Sequence, residues 1–241
     1  RTGVSPGEVF AGVGSDEVIA TLLTVLARPR GKSPVPTLLT TTPSFVMYRQ
    51  SGRARGWNVM EVPLDAEWDL AESSMARAIE MTPPNVVFIA TPNNPTGNLM
   101  SPSRLEHVIQ AAAGALVVID EAYVDYSSGD HLDLYRKYDN VALLRTLSKV
   151  GFAALRVGWL VARPELVAEL DKVRLPYNLP TTSQTLAATV LCELSAEIDA
   201  LAATVKAERA RLCEALAALP RVTLTPSQAN FVWLGTERPA G

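Results

Sequence analysis

The chain has 241 residues, 48% of them hydrophobic and 20% charged, the balance of a globular protein with a sizeable core and one or two domains. A net charge of -3 and a sequence pI near 5.5 leave no basic footprint for nucleic acid, and no run of about 18 apolar residues could span a membrane. The partners expected are small molecules and other protein surfaces.

Read from the start, GVGSDEVIATLLTVLA places glycines ahead of a helix. From about residue 16 to 162 helical patterns alternate with short β-rich runs: TLLTTT, NVMEVPL, NVVFIATP, ALVVIDEAY, NVALLRTLS and RVGWLVA. SRLEHVIQAAAG is one of the helical segments between them. This alternation predicts an α/β fold, a mostly parallel sheet covered by helices on both faces. Beyond Pro164 the pattern becomes PELVAELDKVRL and then an Ala/Leu-rich stretch from about Thr182 to Leu219, read as one connecting helix that Pro220 ends. RVTLTPSQANFVWLG then reads as two strands. The expected organisation is a large domain over 1–181, a connecting helix over 182–219 and the start of a small α+β domain over 220–241. A start at Arg1 without Met and a stop just after an apolar run read as a segment of a longer protein.

Cys192 and Cys213 fall in the helical stretch and are expected as free buried thiols, in keeping with a cytoplasmic setting. His107 and His131 lack partners at metal-ligand spacing, so no metal site is expected.

In a parallel sheet ligands gather where the strands end. Three polar clusters fall there: ATPNNPTG after NVVFI, DEAYVDY after LVVI, and TLSK after VALLR. A strand-end aspartate alone is more often an N-cap or turn residue than a catalytic group; three clusters on one sheet edge read as a site. Lys149 stands between a buried strand and the small apolar VGFAAL, where an ammonium is expected to be poorly solvated and its amine free to attack a carbonyl. Schiff-base chemistry of that kind holds pyridoxal phosphate on enzymes, and its pyridine nitrogen requires a carboxylate opposite, for which Asp120 is the candidate. A buried strand-end acid is tolerable as the partner of a pyridinium.

GSDE, PSF with a Tyr after two intervening residues, TPNNPTG, DEAYVDY, TLSK and LRVGW, in this order, resemble the pyridoxal-phosphate aminotransferases of fold type I. DEAYVDY and RLPYNLPTTSQTLAA are most similar to the histidinol-phosphate branch. The resemblance covers nearly the whole chain. It implies that Lys149 carries the cofactor and moves the substrate proton, that Asp120 pairs with the ring nitrogen, and that Asn94 and Tyr123 hydrogen-bond the ring's phenolic oxygen. Phe45, otherwise a core aromatic, would stack on the ring. Ser15 and Asp16 would give backbone amides to the phosphate at a helix start, although the acidic first turn also suits the helix dipole alone. Arg156 would supply a guanidinium, with hydroxyls from Thr146 and Ser148. Arg156 lies seven positions after Lys149, one fewer than in many fold type I enzymes. The family's substrate-carboxylate arginine would fall beyond ANFVW, and Arg238 comes too soon to take that role.

The implied reaction is transamination between histidinol phosphate, the amino donor, and the 2-oxo acid 2-oxoglutarate, in a homodimer. Alternatives on the same fold are a threonine-phosphate decarboxylase and an aromatic aminotransferase. An aminotransferase-like effector-binding domain of a transcription regulator is an alternative of another class, disfavoured by the absence of basic clusters.

Overall fold

In the computed structural model, residues 3–237 are described, and Arg238 lies outside them. Seven strands form one sheet: β1 (Val9–Val13), β2 (Thr37–Thr42), β3 (Asn58–Pro63), β4 (Val86–Ala90), β5 (Leu116–Asp120), β6 (Val141–Thr146) and β7 (Val157–Val161), in the order β1-β7-β6-β5-β4-β2-β3. β2 to β6 pair in parallel, while β7 runs antiparallel to both β6 and β1. The α/β class with a mostly parallel sheet is therefore as expected. β1 was not anticipated; VFAGV is short and carries two small residues, so it gives little apolar signal.

The central strands are apolar at nearly every position because both their faces are covered. In β4, Val86, Phe88 and Ala90 join the core on one face and Val87 and Ile89 the core on the other. Helices α1 (Gly14–Val25), α2 (Val46–Ala54) and α6 (Pro164–Val173) cover the first face through residues such as Ile19, Leu22, Tyr48 and Leu170. Helices α3 (Glu72–Met81), α4 (Pro102–Ala111) and α5 (Leu132–Lys137) cover the second through Met75, Leu105, Val108 and Leu132. In α4 the proline occupies the first turn, where its missing N–H costs no hydrogen bond.

The stretch 182–219 is two helices rather than one: α7 (Thr181–Glu193) and α8 (Ser195–Ala217), parted at Leu194. Ser195 followed by Glu197 and Asp199 is the kind of start signal that opens a new helix, and the uniform Ala/Leu texture hides it. Both helices pack on a third cluster that includes Tyr123, Tyr126, Val150 and Val157, beside the strand ends. Strands β8 (Val222–Thr225) and β9 (Trp233–Thr236) then form the expected antiparallel pair. The cysteines differ from expectation: both are free, but Cys192 is exposed and Cys213 half-buried, because neither faces the core side of its helix. Among the described residues no helix is long and apolar enough to cross a membrane, and no His, Cys, Asp and Glu group could hold a metal ion.

Candidate active site

Alternation along β5 and β6 decides which side chains meet. Asp120 shares the face of Val118, and Thr146 shares the face of Leu144, so both point to the side covered by α1 and α2. Asp120 is only 4% exposed. Its Oδ2 accepts a 2.5 Å hydrogen bond from the Tyr48 hydroxyl and its Oδ1 one of 2.9 Å from the Ala122 amide. Burial pushes its pKa up to about 6, and the neighbouring Glu121 charge adds to this, while the two hydrogen bonds and Lys149 work the other way. A carboxylate left there short of a cationic partner favours one.

Tyr48 is fully buried, stacked on Phe88 at 4.8 Å between ring centroids, with Phe45 edge-on at 5.4 Å. Burial and the Asp120 charge raise the Tyr48 hydroxyl well above its ordinary value, so it stays a hydrogen-bond donor. Sequence reasoning quoted this tyrosine in the PSF motif without giving it a task. The spacing that puts Phe45 and Tyr48 one helical turn apart was the available signal.

The loop after β4 divides its two asparagines between two tasks. Asn93 is buried and braces the loop, donating to the Pro43 carbonyl and the Thr96 hydroxyl while accepting from Ser44. Asn94 faces the cavity and donates to the Tyr123 hydroxyl at 3.4 Å. Burial raises the Tyr123 hydroxyl, as does the Asp120 charge, and the Asn94 contact opposes them.

The anion seat is built by close backbone approach. Gly14, at φ +74, opens α1 and donates from its amide to the Arg156 carbonyl at 2.8 Å. A Cβ on Gly14 would lie 2.6 Å from the Arg156 guanidinium, and one on Gly158 of β7 would lie 2.4 Å from the Ser15 amide nitrogen. Only glycines let the helix start, the strand and the arginine come together. The first-turn amides at Ser15 and Asp16 have no acceptor a turn earlier in the helix. Thr146 Oγ1 accepts from the Ser148 amide at 3.1 Å and lies 3.0 Å from the Ser148 hydroxyl, which fixes the turn that follows β6. The acidic first turn is resolved residue by residue. Glu17 folds back to accept from the Val13 amide at 2.6 Å and from Asn178 at 2.9 Å, whereas Asp16 lies 3.7 Å from the Arg156 guanidinium. An incoming phosphate would compete with Asp16 for that arginine.

Lys149 stands on the short turn Ser148–Val150. Its amine is 5.5 Å from the centre of the Tyr123 ring. It is half-buried at the cavity wall, less shielded than expected, because Gly151, Ala153 and Ala154 of the following apolar run are themselves exposed.

All ten residues singled out from the sequence (Ser15, Asp16, Phe45, Asn94, Asp120, Tyr123, Thr146, Ser148, Lys149 and Arg156) line one cavity, together with Tyr48, Ala90, Pro92 and Ala122. Pyridoxal phosphate fits this donor set: an amine for its aldehyde, a buried carboxylate in want of a cation for its ring nitrogen, hydroxyl and amide groups for its phenolic oxygen, and a glycine-lined helix start with a guanidinium for its phosphate.

On the opposite face, reached by the alternate residues Glu121 and Arg145, the charges are paired. The Glu121 carboxylate accepts from Arg145 Nε at 2.7 Å, from the His131 amide at 2.7 Å, and lies 2.9 Å from His131 Nδ1. Arg145 also reaches Asp130 at 3.0 Å. Burial works against the Arg145 charge, yet Glu121 and Asp130 together leave it above its ordinary value.

A mostly parallel sheet with one reversed strand, a lysine on a turn at its carboxyl edge and an anion seat at the first helix define a fold type I pyridoxal-phosphate protein. The sequence matches the family Aminotransferase class I and II over residues 2–240, and the chain belongs to that family. Among its relatives, histidinol-phosphate aminotransferase 1 of Ralstonia nicotianae is 40% identical over 238 residues, covering 97% of this chain and 62% of its own length. Histidinol-phosphate aminotransferase of Chromobacterium violaceum is 42% identical over 224 residues, covering 93% of this chain and 61% of its own length. The chain thus spans a little over three fifths of these relatives. A crystal structure of histidinol-phosphate aminotransferase from Sinorhizobium meliloti in complex with pyridoxal-5'-phosphate superposes with a TM-score of 0.86 at 21% identity, covering 98% of this chain and 64% of its own. A decarboxylase from Sulfurospirillum multivorans superposes at 0.84 with 24% identity, covering 99% and 69%. At those identities the structural likeness is one of fold.

Proposed function

We propose that the protein is a pyridoxal-phosphate-dependent aminotransferase that takes the amino group of histidinol phosphate and passes it to 2-oxoglutarate in histidine biosynthesis. The observation that carries the reading is the convergence on one cavity of ten residues drawn from six separate motifs of the sequence. The relatives at 40% and 42% identity, both named histidinol-phosphate aminotransferase, support this donor over threonine phosphate or an aromatic amino acid.

When bound, pyridoxal phosphate supplies an aldehyde that takes up the donor's nitrogen and a ring that withdraws electrons from the donor's alpha carbon. The protein does the rest by position and charge. Asp120 would hold a proton on the ring nitrogen, and Tyr48 keeps the Asp120 carboxylate turned toward the cavity. Tyr123 and Asn94 would orient the ring through its phenolic oxygen, and Phe45 would cover one face. Arg156, Ser148 and the Ser15 and Asp16 amides would hold the phosphate. Lys149 Nζ would anchor the group and would then move a proton from the donor's alpha carbon to the cofactor C4'.

A homodimer fits the surface beside this cavity. Leu175 is 71% and Tyr177 96% exposed, on a loop whose Asn178 binds Glu17 of α1. Apolar groups of that size next to a site suit burial by a second copy. A cytoplasmic setting agrees with two free cysteines. The test is a donor survey with the complete protein, comparing histidinol phosphate, threonine phosphate and aromatic amino acids. The highest kcat/KM is expected for histidinol phosphate. A preference for either competitor, or release of carbon dioxide, would overturn the substrate assignment.

A further inference from the structure

The turn that carries Lys149 is held from behind by a side chain that does not line the cavity. Tyr126 follows β5 on a short turn and is 5% exposed. Its hydroxyl donates to the Lys149 carbonyl at 2.6 Å and accepts from the Asn230 side chain. Its own carbonyl accepts from Arg209 of α8 at 3.2 Å, and the same guanidinium nitrogen binds the Ala229 carbonyl at 2.6 Å. The segment around Asn230 is tied to the other side of the site as well: the Gln228 amide donates to the Gly97 carbonyl at 2.7 Å, and Phe231 meets the Tyr123 ring edge-on at 5.1 Å.

We infer that Tyr126 is a positioning residue for Lys149, fixing the lysine turn through its carbonyl and linking that turn to α8 and to the segment before β9. The inference rests on the reading of Lys149 as the cofactor lysine. The Lys149 carbonyl and the Asn230 side chain meet at the phenol, and Arg209 holds the backbone carbonyl of the same residue. The Thr146–Ser148 contacts hold the start of the turn, and the Tyr126 hydrogen bond holds the Lys149 carbonyl itself, beside an exposed flank at Gly151, so it bears on where the amine can reach. Burial raises the Tyr126 hydroxyl above its ordinary value, as does the nearby Asp125 charge, which keeps it a donor.

The experiment uses the complete protein with pyridoxal phosphate as the probe. Parent and Tyr126→Phe are mixed with it, reduced with borohydride at intervals and mapped by peptide mass, and the visible absorption of the bound probe is titrated with pH. Tyr126→Phe keeps the ring and loses only the hydroxyl. Label is expected on Lys149 in both proteins, accumulating about tenfold more slowly in the variant, with the pH midpoint displaced. A merely structural tyrosine would lower the unfolding temperature and leave the midpoint alone. Arg209→Met, which removes the grip on Tyr126 from outside, is expected to act in the same direction more weakly and decides the matter if Tyr126→Phe does not fold. No label on Lys149 in the parent would overturn the reading of the lysine, and the inference with it. Label at the parental rate with an unmoved midpoint in the folded variants would overturn the positioning role alone.

Discussion

Asp120 and Glu121 are neighbours at the end of one strand, yet they live in opposite surroundings. Asp120 opens onto a cavity with two hydrogen bonds and, among the described residues, no cation at contact distance, and burial pushes it up to about 6. Glu121, one residue on and therefore on the other face, is wrapped by Arg145 and His131. The same chemical group is thus left in want of a partner on one side of the sheet and fully partnered on the other. Unmet demand marks a binding site, whereas met demand marks a brace.

Substitutions separate the two roles. Asp120→Asn removes the charge proposed to hold a proton on the cofactor ring, and turnover is expected to fall by about a thousandfold, a loss within the range of acid–base contributions. Its stability, measured by urea unfolding, should hold or rise, since a poorly solvated acid is gone. Arg145→Met does the reverse. It takes the arginine from the buried Glu121 and leaves it only the His131 contacts, and a loss of about 3–5 kcal/mol in unfolding free energy is expected. The folded fraction should still turn over within a few-fold of the parent; a collapse of kcat in well-folded Arg145→Met would erase the distinction between the faces.

The pH dependence of stability sharpens the comparison further. In the cofactor-free protein the Asp120 carboxyl keeps its proton to about 6, whereas unfolded it releases it near 3.8. Between those values the folded state binds more protons, so this group makes stability fall as pH rises, by about 3 kcal/mol in all. Asp120→Asn is expected to flatten that part of the profile. Smallest is the effect of Tyr48→Phe, which removes one hydrogen bond to a carboxylate at a cost of about 2 kcal/mol. Because that bond favours the charged form, Asp120 should then keep its proton to still higher pH, read from the carboxyl infrared band of the cofactor-free protein.

Much of this was legible in the sequence, for a physical reason. Strands covered on both faces must be continuously apolar, so β2 and β4 to β7 announced themselves, and the polar clusters after them marked the sheet's carboxyl edge. What depends on packing between distant residues did not show. Tyr48 and Asp120 are 72 positions apart. Nothing local says that they touch. Glu121 received no role because the sequence DE gives two acids and hides that the strand sends them to opposite faces. The shielding of Lys149 was overread, since an apolar run such as GFAAL shields a neighbour only if it folds inward, and here three of its residues face solvent. β1 was missed because Ala11 and Gly12 weaken its apolar signal, although glycine at position 12 is what leaves room for the Glu17 carboxylate and Val18.

The reversed strand β7 sits between β1 and β6, so pairing residues 9–13 with residues 157–161 is what brings the helix start at Ser15 beside Arg156. That contact joins the two ends of the sheet's sequence, and loop closure of such length comes late in folding. During synthesis the first helix and the parallel strands can assemble as they emerge, but the phosphate seat has no counterpart until β7 has left the ribosome and inserted between its neighbours. Cofactor capture would then act as a completion signal, taken up only by chains whose sheet has closed.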